Sequence, residues 1–295
     1  MDVRFFSILL YEMLRCFPLS GLSSSRARFG YHVVYDRDIH DALDFASQRG
    51  FGYVVPDLMI PRFLPERMDR EERRRVREHC ESVNVSISFH GPSDNLNLVT
   101  PYPEVRRAIV KRMASSLQLA IELKAQRFTI HSSAPPNFAS DGKRGTYLTD
   151  HWSVYKEALS ESLRGILEAS RGRVQVCVEN SPLDDLTEQV LETLLPKEES
   201  LYLTWDVLKS LDPAHGSPTG RVEAFFLRHL DRVRECHLHD MRPGGYGHDL
   251  LGVSVIDFSR YVKLLMPYDV HFTFEIRPRE NAYRSLCNII RMLEN

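Results

Sequence analysis

Cysteine is scarce in this sequence, and no two cysteines stand at the spacing of a redox or metal-binding pair. The 295 residues contain five of them, Cys16, Cys80, Cys177, Cys236 and Cys287, and none belongs to a CxxC motif. An odd number of widely spaced cysteines argues against a disulfide framework and favours small buried thiols in a reducing compartment. We therefore expect a cytoplasmic protein.

Charge of one sign and long hydrophobic runs are lacking as well. The chain has 38 basic and 40 acidic residues, for a formal net charge of −2, so no global basic field indicates nucleic acid. A membrane-spanning helix needs about 20 apolar residues, whereas the apolar stretch at residues 5–10 is soon followed by Glu12 and Arg15. The expected partner is a small-molecule substrate, without a membrane or nucleic acid. The sequence leaves open whether the chain forms a homo-oligomer.

What the chain does have, from residue 28 onwards, is a regular alternation of short apolar runs with amphipathic segments of helix length. Strands are predicted at residues 28–34, 53–57, 85–90, 127–131, 173–179, 201–206, 232–240 and 270–275. Helices are predicted at residues 36–50, 70–82, 104–123, 152–171, 184–195, 222–230, 256–266 and 281–293. Such an alternation is typical of α/β proteins with parallel strands and helical crossovers.

Eight strand–helix units predict a (β/α)₈ TIM barrel that forms a single domain over residues 28–295. A doubly wound open sheet is the alternative. Residues 1–27 stand outside the alternation and are expected to form a peripheral extension, with a surface anchor as the less favoured possibility.

Histidine and acidic residues stand where most of the predicted strands end. In a barrel the carboxyl ends of the strands converge on one face, where active sites are built. Imidazole nitrogens and carboxylate oxygens together suit Mn²⁺, Zn²⁺, Co²⁺ or Fe²⁺, whereas Mg²⁺ prefers oxygen alone. No HExxH motif is present, so the prediction of a divalent metal site depends on the whole set: His90, His131, Glu179, Asp206, His237, His239, Asp240 and Glu275.

Ordinary structural roles could account for several of these residues when each is taken alone. Glu179 and Glu275 could be charged strand ends that face solvent, and Asp206 could cap the helix that follows it. His237 and His239 alternate on one strand, so both side chains point to the same face. Taken together at one end of a barrel, the residues favour a metal site with Glu179 at its centre.

Seven short motifs in a fixed order carry a resemblance to a known superfamily. They are FHGP with NLNL (89–98), TIHS (129–132), VEN (178–180), TWD (204–206), HLHD (237–240), GHDLLG (247–252) and FEIRP (274–278). In this order the chain resembles the xylose-isomerase-like TIM barrel superfamily from about residue 28 to residue 293. That superfamily joins sugar phosphate isomerases and epimerases to AP endonuclease family 2, the endonuclease IV-like nucleases of apurinic sites.

The resemblance implies a set of metal ligands. The epimerases of the superfamily hold one metal with residues that match Glu179, Asp206, His237 and Glu275. In that branch the residues matching Glu179 and Glu275 are also the catalytic acid/base pair. The nuclease branch adds a second metal through residues that match His90 and His131, with Glu179 shared. In the epimerase branch these two histidines contact substrate or neighbouring groups instead, so both roles stay open here.

The third metal of the nuclease branch does not fit this sequence. It requires a histidine three residues after the aspartate and an aspartate two residues before a late histidine. Lys209 and Tyr246 stand at those positions, and only His248 remains. The resemblance therefore favours the isomerase and epimerase branch.

Six residues around these ligands are expected to contact the substrate. An arginine that faces the barrel mouth suits a hydroxyl, carboxylate or phosphate group, and Lys209 is either a solvated lysine or a contact for a substrate anion. His239 is interpreted as a partner of the ligands or a substrate contact. The six are His239, Asp240, Arg242, His248, Lys209 and Arg277.

Other features receive structural interpretations. No functional role is assigned to His32, His40, His79, His151 and His229. Residues 132–150 contain Pro135, Pro136, Gly142 and Gly145 without any periodicity, which predicts an irregular loop, and long loops of this kind commonly serve as lids or binding loops.

Three functions remain in contention at this point. The first is a metal-dependent isomerase or epimerase of a sugar or a sugar-like hydroxy-carbonyl compound. The alternative is an endonuclease IV-like phosphodiesterase with two metals, and the least favoured is a non-catalytic metal-binding barrel.

Overall fold

Short apolar runs become the parallel strands of a barrel, as the alternation in the sequence predicts. The computed structural model describes residues 27–140, 143–147, 151–212, 217–218 and 220–294. Within these residues eight strands line the barrel, and the third is divided into two segments. The strands are β1 (Phe29–Val33), β2 (Tyr53–Pro56), β3 (Ser86–Ile87 and Phe89–His90), β4 (Arg127–His131), β5 (Gln175–Glu179), β6 (Leu201–Asp206), β7 (Val233–Leu238) and β8 (His271–Phe274).

A helix follows each of these strands, and aspartate caps begin several of the helices. The carboxylates of Asp38, Asp69, Asp184 and Asp257 each accept a backbone N–H of the first turn, which satisfies donors that a helix start leaves unpaired. The helices are α1 (Ile39–Arg49), α2 (Arg70–Val83), α3 (Pro103–Glu122), α4 (Trp152–Ser170), α5 (Asp185–Leu194), α6 (Arg221–Arg228), α7 (Phe258–Leu265) and α8 (Arg279–Glu294).

The sheet closes through the third strand. The first segment of β3 pairs with β2 and its second segment pairs with β4. From the first segment of β3 to its second segment, the neighbouring strands follow the order β2, β1, β8, β7, β6, β5 and β4. Every pair is parallel. This closed order confirms the predicted (β/α)₈ barrel, and the open doubly wound sheet is wrong.

Aromatic packing fixes the end of β6 against the helices outside it. The Trp205 ring is stacked on Phe226 of α6 with centroids 4.8 Å apart, and Tyr261 of α7 meets it edge-on at 5.4 Å. The Trp205 Nε1–H donates to Ser210 Oγ at 2.8 Å. Because Trp205 is fully buried, this packing holds the following residue, Asp206, at a defined place in the barrel mouth.

The connection after β4 differs from the sequence prediction. Residues 132–150 were expected to be irregular, but Asn137–Ser140 pairs antiparallel with Lys143–Tyr147. The sequence between these strands, Asp141-Gly142, is a dipeptide that favours two-residue hairpin connections. The prediction gave the glycine too little weight as a hairpin signal. A second antiparallel pair, Leu211–Asp212 with Ser217–Pro218, follows β6.

Residues 1–26 lie outside the described part of the chain, so the extension predicted there stays a prediction. Across the described residues, the helices are too short or too polar to cross a membrane. Cys177 and Cys236 are buried free thiols in β5 and β7, as the sequence predicts for cysteines within strands.

A buried histidine lies at the opposite end of the barrel from the strand ends described above. His271 is the first residue of β8, and its ring is stacked on Tyr53 with centroids 4.4 Å apart. Burial, followed by the positive charge of Arg127, lowers the pKa of His271 to about 3. The folded barrel therefore holds this imidazole neutral under conditions in which an unfolded chain would protonate it.

We expect the barrel to lose stability through His271 as the pH falls below the ordinary histidine value of 6.5. The folded-state pKa is the lower one, so the unfolded chain binds the extra proton, and the contribution is complete above pH 6.5 and lost as the pH falls toward 3. When the pH falls from about 7 to about 5, the unfolding free energy of His271→Phe should decrease by about 2 kcal/mol less than that of the wild type. Urea denaturation followed by circular dichroism measures this difference. The exposed His151→Phe is the control, and equal losses in all three proteins would contradict the assignment.

Candidate metal centre

The register of the sheet brings together the side chains at the strand ends. His131 lies directly opposite Glu179 across β4 and β5, and Asp206 lies opposite His237 across β6 and β7. Glu275 follows β8, where its N–H donates to the last carbonyl of β7 at 3.1 Å. Residues far apart in the chain thus meet at one end of the barrel.

Glu179 lies in the middle of this group, and its side chain is completely buried. Its Oε2 faces three imidazole nitrogens: His90 Nε2 at 3.5 Å, His131 Nε2 at 3.3 Å and His237 Nδ1 at 3.4 Å. Its Oε1 contacts the Lys209 ammonium. A single carboxylate therefore joins groups from β3, β4, β7 and the turn after β6.

Buried polar atoms without hydrogen-bond partners mark the point where a cation would bind. Among the residues that the structure describes, Glu179 Oε2 and both ring nitrogens of His237 are buried and make no hydrogen bond of normal geometry. Atoms left in this state cost about 1–3 kcal/mol each. One donor atom from each of Glu179, Asp206 and His237 lies within 4.8 Å of the others. Two carboxylates and an imidazole are donors that suit Zn²⁺, Mn²⁺, Fe²⁺ or Co²⁺, so these residues fit a divalent metal.

Groups behind two of the imidazoles determine which nitrogen points inward. His90 Nδ1 donates to the carbonyl of the next residue at 3.0 Å, which leaves Nε2 facing Glu179 Oε2. Behind His237, Nε2 lies 3.5 Å from Glu235 Oε1, while Nδ1 lies 3.4 Å from Glu179 and 3.5 Å from Glu275. A carbonyl or carboxylate behind the ring is the arrangement that orients metal-binding histidines.

Glu275 approaches the same imidazole nitrogen from another strand. Its Oε1 lies 3.5 Å from His237 Nδ1 and 3.6 Å from His32 Nδ1, and its Oε2 lies 3.8 Å from His248 Nδ1. Glu179 and Glu275 therefore converge on His237 from β5 and from the end of β8.

A second trio adjoins the first. Donor atoms of His90, His131 and Glu179 lie within 4.8 Å of one another, and the two imidazole rings meet edge to face with centroids 4.9 Å apart. His131 is partly exposed at the barrel mouth. The trio is compatible with a second cation and with hydrogen bonds to a substrate, the two roles that the sequence left open.

The surrounding cations keep the buried carboxylates ionised. Burial raises the pKa of Glu179, but Lys209 and His237 outweigh it and hold that pKa well below the ordinary value. Burial acts in the same way on Glu275, where His237 and His32 outweigh it and lower the pKa. Burial lowers the pKa of His237, but Glu275 and Glu179 outweigh it and raise the value to about 10. Both glutamates are therefore negatively charged at neutral pH.

Two side chains hold Asp206 in place. The Asn180 side chain accepts the Asp206 N–H at 2.8 Å and donates to the Asp206 carbonyl at 3.0 Å. His239 Nδ1 accepts the His248 N–H at 3.1 Å, so Nε2 carries the proton and donates to Asp206 Oδ2 at 3.1 Å. Asp206 Oδ1 accepts the Lys209 N–H at 3.2 Å. Asp206 thus caps the turn that follows it and also presents Oδ2 to the metal-binding group.

A second polar layer lies one step deeper in the barrel, and none of its members was among the site residues predicted from the sequence. Thr129 donates to Glu235 Oε2 at 2.7 Å, and Thr273 donates to Oε1. The Thr129 and Thr204 hydroxyls lie 2.7 Å apart. Burial raises the pKa of Glu235, but His237 and the two threonines outweigh it and lower the value to about 2. The signal in the sequence is positional, because each member precedes a strand-end site residue by two positions and so shares its face.

His248, one of the predicted substrate contacts, borders the group at the barrel mouth. Its backbone is left-handed with φ 55°, a conformation that is uncommon for residues other than glycine. Its Nδ1 donates to the Glu275 carbonyl at 2.8 Å, and its ring is stacked on His239 with centroids 4.4 Å apart. Burial lowers the pKa of His248 to about 4. The imidazole is therefore neutral at neutral pH, with Nε2 as an acceptor.

Asp240 and Arg242 are engaged in the loop that follows β7, although the sequence predicted both as substrate contacts. Asp240 Oδ2 accepts three consecutive backbone N–H groups, those of residues 252, 253 and 254, at 3.0, 3.0 and 3.1 Å. Arg242 is exposed and pairs with Asp249 at 3.0 Å. These contacts organise the loop that carries His248.

His32 and Asp57 extend the group beyond the residues predicted from the sequence, and Arg277, a predicted substrate contact, is joined to them through His32. Arg277 donates to His32 Nδ1 at 2.8 Å, so His32 Nε2 carries the proton and faces Asp57 Oδ2 at 3.2 Å. His32 and Asp57 also form a cluster with His90. His32, to which no functional role was assigned, therefore belongs to the group. Asp57 was missed, although it ends the run YVVPD as the other site residues end their strands.

Solved barrels of similar structure cover most of this chain. A D-tagatose 3-epimerase-like protein matches with a TM-score of 0.69 and 17% identity, over 90% of this chain and 98% of that chain. The 3-keto-D-glucoside 4-epimerase YcjR of E. coli matches with a TM-score of 0.68 and 13% identity, over 90% of this chain and 99% of that chain. At these identities the likeness shows the fold.

Sequence comparisons place the chain in a family. It is 28% identical over 222 residues to the uncharacterized protein MJ1188 of Methanocaldococcus jannaschii, which covers 73% of this chain and 74% of that protein. A family model described as a xylose isomerase-like TIM barrel matches residues 43–293. This match spans most of the chain and confirms the resemblance carried by the motifs. The chain belongs to the xylose isomerase-like TIM barrel family.

Proposed function

We propose that this protein is a metal-dependent isomerase or epimerase of a sugar or a sugar-like hydroxy-carbonyl compound. The observation that carries the proposal is the convergence of Glu179 and Glu275 on His237 Nδ1, at 3.4 and 3.5 Å. Two carboxylates that approach one point from different strands can act on opposite faces of one carbon atom. The names of the solved neighbours, a D-tagatose 3-epimerase-like protein and a 3-keto-D-glucoside 4-epimerase, support a sugar as the class of substrate.

The chain's own residues would hold the metal and keep its ligands oriented. When bound, a divalent cation polarises a substrate carbonyl and stabilises the negative charge that develops beside it. Asn180 and His239 hold the Asp206 carboxylate, and Glu235 lies behind the His237 ring. The proposed ligands are Glu179, Asp206, His237 and Glu275.

Proton transfer would use the two glutamates in turn. Both are ionised, so one can take the proton from the carbon beside the substrate carbonyl and leave a planar enediolate. The other then returns a proton to the opposite face. Because this second carboxylate is ionised at rest, it must first take up a proton from solvent, and the first glutamate afterwards releases the abstracted proton to solvent. The product therefore carries a solvent hydrogen at that carbon.

The groups around the barrel mouth suit the hydroxyls of a sugar. His248 offers a neutral ring nitrogen, and His131 and Lys209 are partly exposed there. Arg277 donates a hydrogen bond to His32 and so orients the His32 ring beside this group. Asp240 and Arg242 support the loop that brings His248 to the mouth.

A second candidate function is the cleavage of phosphodiesters with two metals, as in the AP endonucleases. The trio His90, His131 and Glu179 favours it, because its donor atoms lie within 4.8 Å of one another. Lys209 and Tyr246 count against it, because they replace the residues that the resemblance implies for a third metal.

One prediction from the proposed function concerns Glu179. Glu179→Gln should abolish tight binding of Mn²⁺ or Co²⁺, because it removes a charged ligand shared by both trios, and it should lower turnover by about 100-fold or more. Metal content is measured by mass spectrometry after dialysis, with one metal per chain expected in the wild type. Turnover is measured as deuterium incorporated from D₂O at a substrate carbon, across a panel of ketohexoses and their phosphates.

The exposed Glu168→Gln is the matched control and should keep both properties. Two metals per chain together with incision of abasic DNA would replace the isomerase proposal with the nuclease. Metal binding without deuterium incorporation or DNA incision would instead favour the non-catalytic barrel.

Another prediction concerns the carboxylate behind the metal-binding imidazole. Glu235→Gln should weaken Mn²⁺ binding by about 10–100-fold, the usual effect of removing a group that orients a ligand. Isothermal titration calorimetry measures the affinity. Glu223→Gln is the control, because Glu223 is also buried but pairs with Tyr261 and Arg260 outside the barrel. Equal affinities in the two variants would show that Glu235 does not orient His237.

A further inference from the structure

Lys209 contacts oxygen atoms of two residues that the proposed function takes as metal ligands, Glu179 and Asp206. It belongs to the short turn Leu208–Ser210 after β6, and its ammonium reaches back over the strand end. There it contacts Glu179 Oε1 and lies 3.1 Å from Asp206 Oδ2 and 3.1 Å from Ser181 Oγ. One ammonium therefore bridges the two carboxylates that the resemblance also names as ligands.

The two carboxylates are buried, whereas the lysine that bridges them is partly exposed to solvent. The Glu179 and Asp206 side chains are 0% exposed, whereas the Lys209 side chain is 35% exposed. An ammonium has three donors and no acceptor, so the lone pairs that it uses on these oxygens are not available to a metal. It also repels a divalent cation at short range. A metal bound through Glu179 Oε1 or Asp206 Oδ2 would therefore have to displace the ammonium, and one bound through Glu179 Oε2 would still meet its positive charge.

Lys209 is charged in this setting. An opposite charge within about 4–6 Å favours the charged form of an ionisable group, and the carboxylates of Glu179 and Asp206 both contact this ammonium. The contact is therefore an ion pair, and a metal that binds through Glu179 Oε1 or Asp206 Oδ2 must break it.

We propose that Lys209 is the counter-ion of the two carboxylates in the metal-free centre. It neutralises Glu179 and Asp206 until a divalent ion displaces it toward the barrel mouth, and this competition sets the affinity of the site for metal. The inference rests on the proposed function only in taking Glu179 and Asp206 as ligands. It assigns to Lys209 a positioning role that a merely solvated lysine would not have.

The test compares Lys209→Met with the wild type, as full-length protein treated with EDTA. Removing the competing charge should tighten Mn²⁺ binding by about 10-fold or more in isothermal titration calorimetry. The metal-free variant should melt several degrees lower, because two buried carboxylates lose their counter-ion. Lys209→Arg keeps the charge and should resemble the wild type in melting temperature. Lys197→Met, at an exposed lysine, is the control for the loss of a charge.

A measurement on the wild type keeps the inference testable if Lys209→Met fails to fold. Saturating Co²⁺ should raise the rate of Lys209 acetylation by an amine-reactive reagent several-fold, as followed by peptide mass spectrometry, and should leave Lys197 unchanged. Acetylation of Lys209 at the same rate with and without bound Co²⁺ would overturn the proposal, as would equal or weaker Mn²⁺ binding by a folded Lys209→Met.

The two proposals can fail separately. If neither the wild type nor Lys209→Met binds Mn²⁺ or Co²⁺, the metal-dependent function is wrong, and the melting temperatures then decide the role of Lys209. If metal-free Lys209→Met has the same melting temperature as metal-free Lys197→Met, the counter-ion role is rejected as well. A lower melting temperature would support it.

Discussion

The barrel mouth is organised by the burial of one ionised carboxylate. A charge removed from water is costly unless cations and hydrogen-bond donors surround it. Glu179 has three imidazoles around Oε2 and an ammonium on Oε1, and these groups come from β3, β4, β7 and the turn after β6. The need to stabilise this charge therefore ties together four parts of the chain, including the divided strand that closes the sheet.

On several strands the proposed site residue and the residue that supports the site are two positions apart. The residue that ends a strand faces the mouth, and the residue two positions earlier faces the interior just below it. Glu235 supports His237 in this way, and Thr129 and Thr273 in turn hydrogen-bond to Glu235. A buried polar layer of this kind resists movement because every displacement leaves a polar atom unpaired. The proposed ligands thus rest on a fully buried polar layer, while Lys209 and His248 reach the mouth from the connections that follow β6 and β7.

The fold and most of the candidate site could be predicted because they follow from local patterns. Alternating apolar residues gave the strands, and a charged or imidazole side chain at the strand end gave residues such as His131 and Glu179. Asp57 followed the same rule and was missed, because its strand-end position was not recognised as a signal. Lys209 could not be placed, since a lysine three residues past a strand is usually solvated, and its contact with Glu179 depends on how the turn after β6 folds back.

The sequence by itself determined the alternation of strands and helices and the face of the strand on which each side chain lies. Both are local properties of the backbone, with periods of two and 3.6 residues that can be read from a few neighbours. Only the tertiary structure decided that His131 lies opposite Glu179, that Arg277 fixes the tautomer of His32, and that an ammonium bridges Glu179 and Asp206. These are distances between groups far apart in the chain, and they are set by strand register and loop packing, which no local pattern encodes.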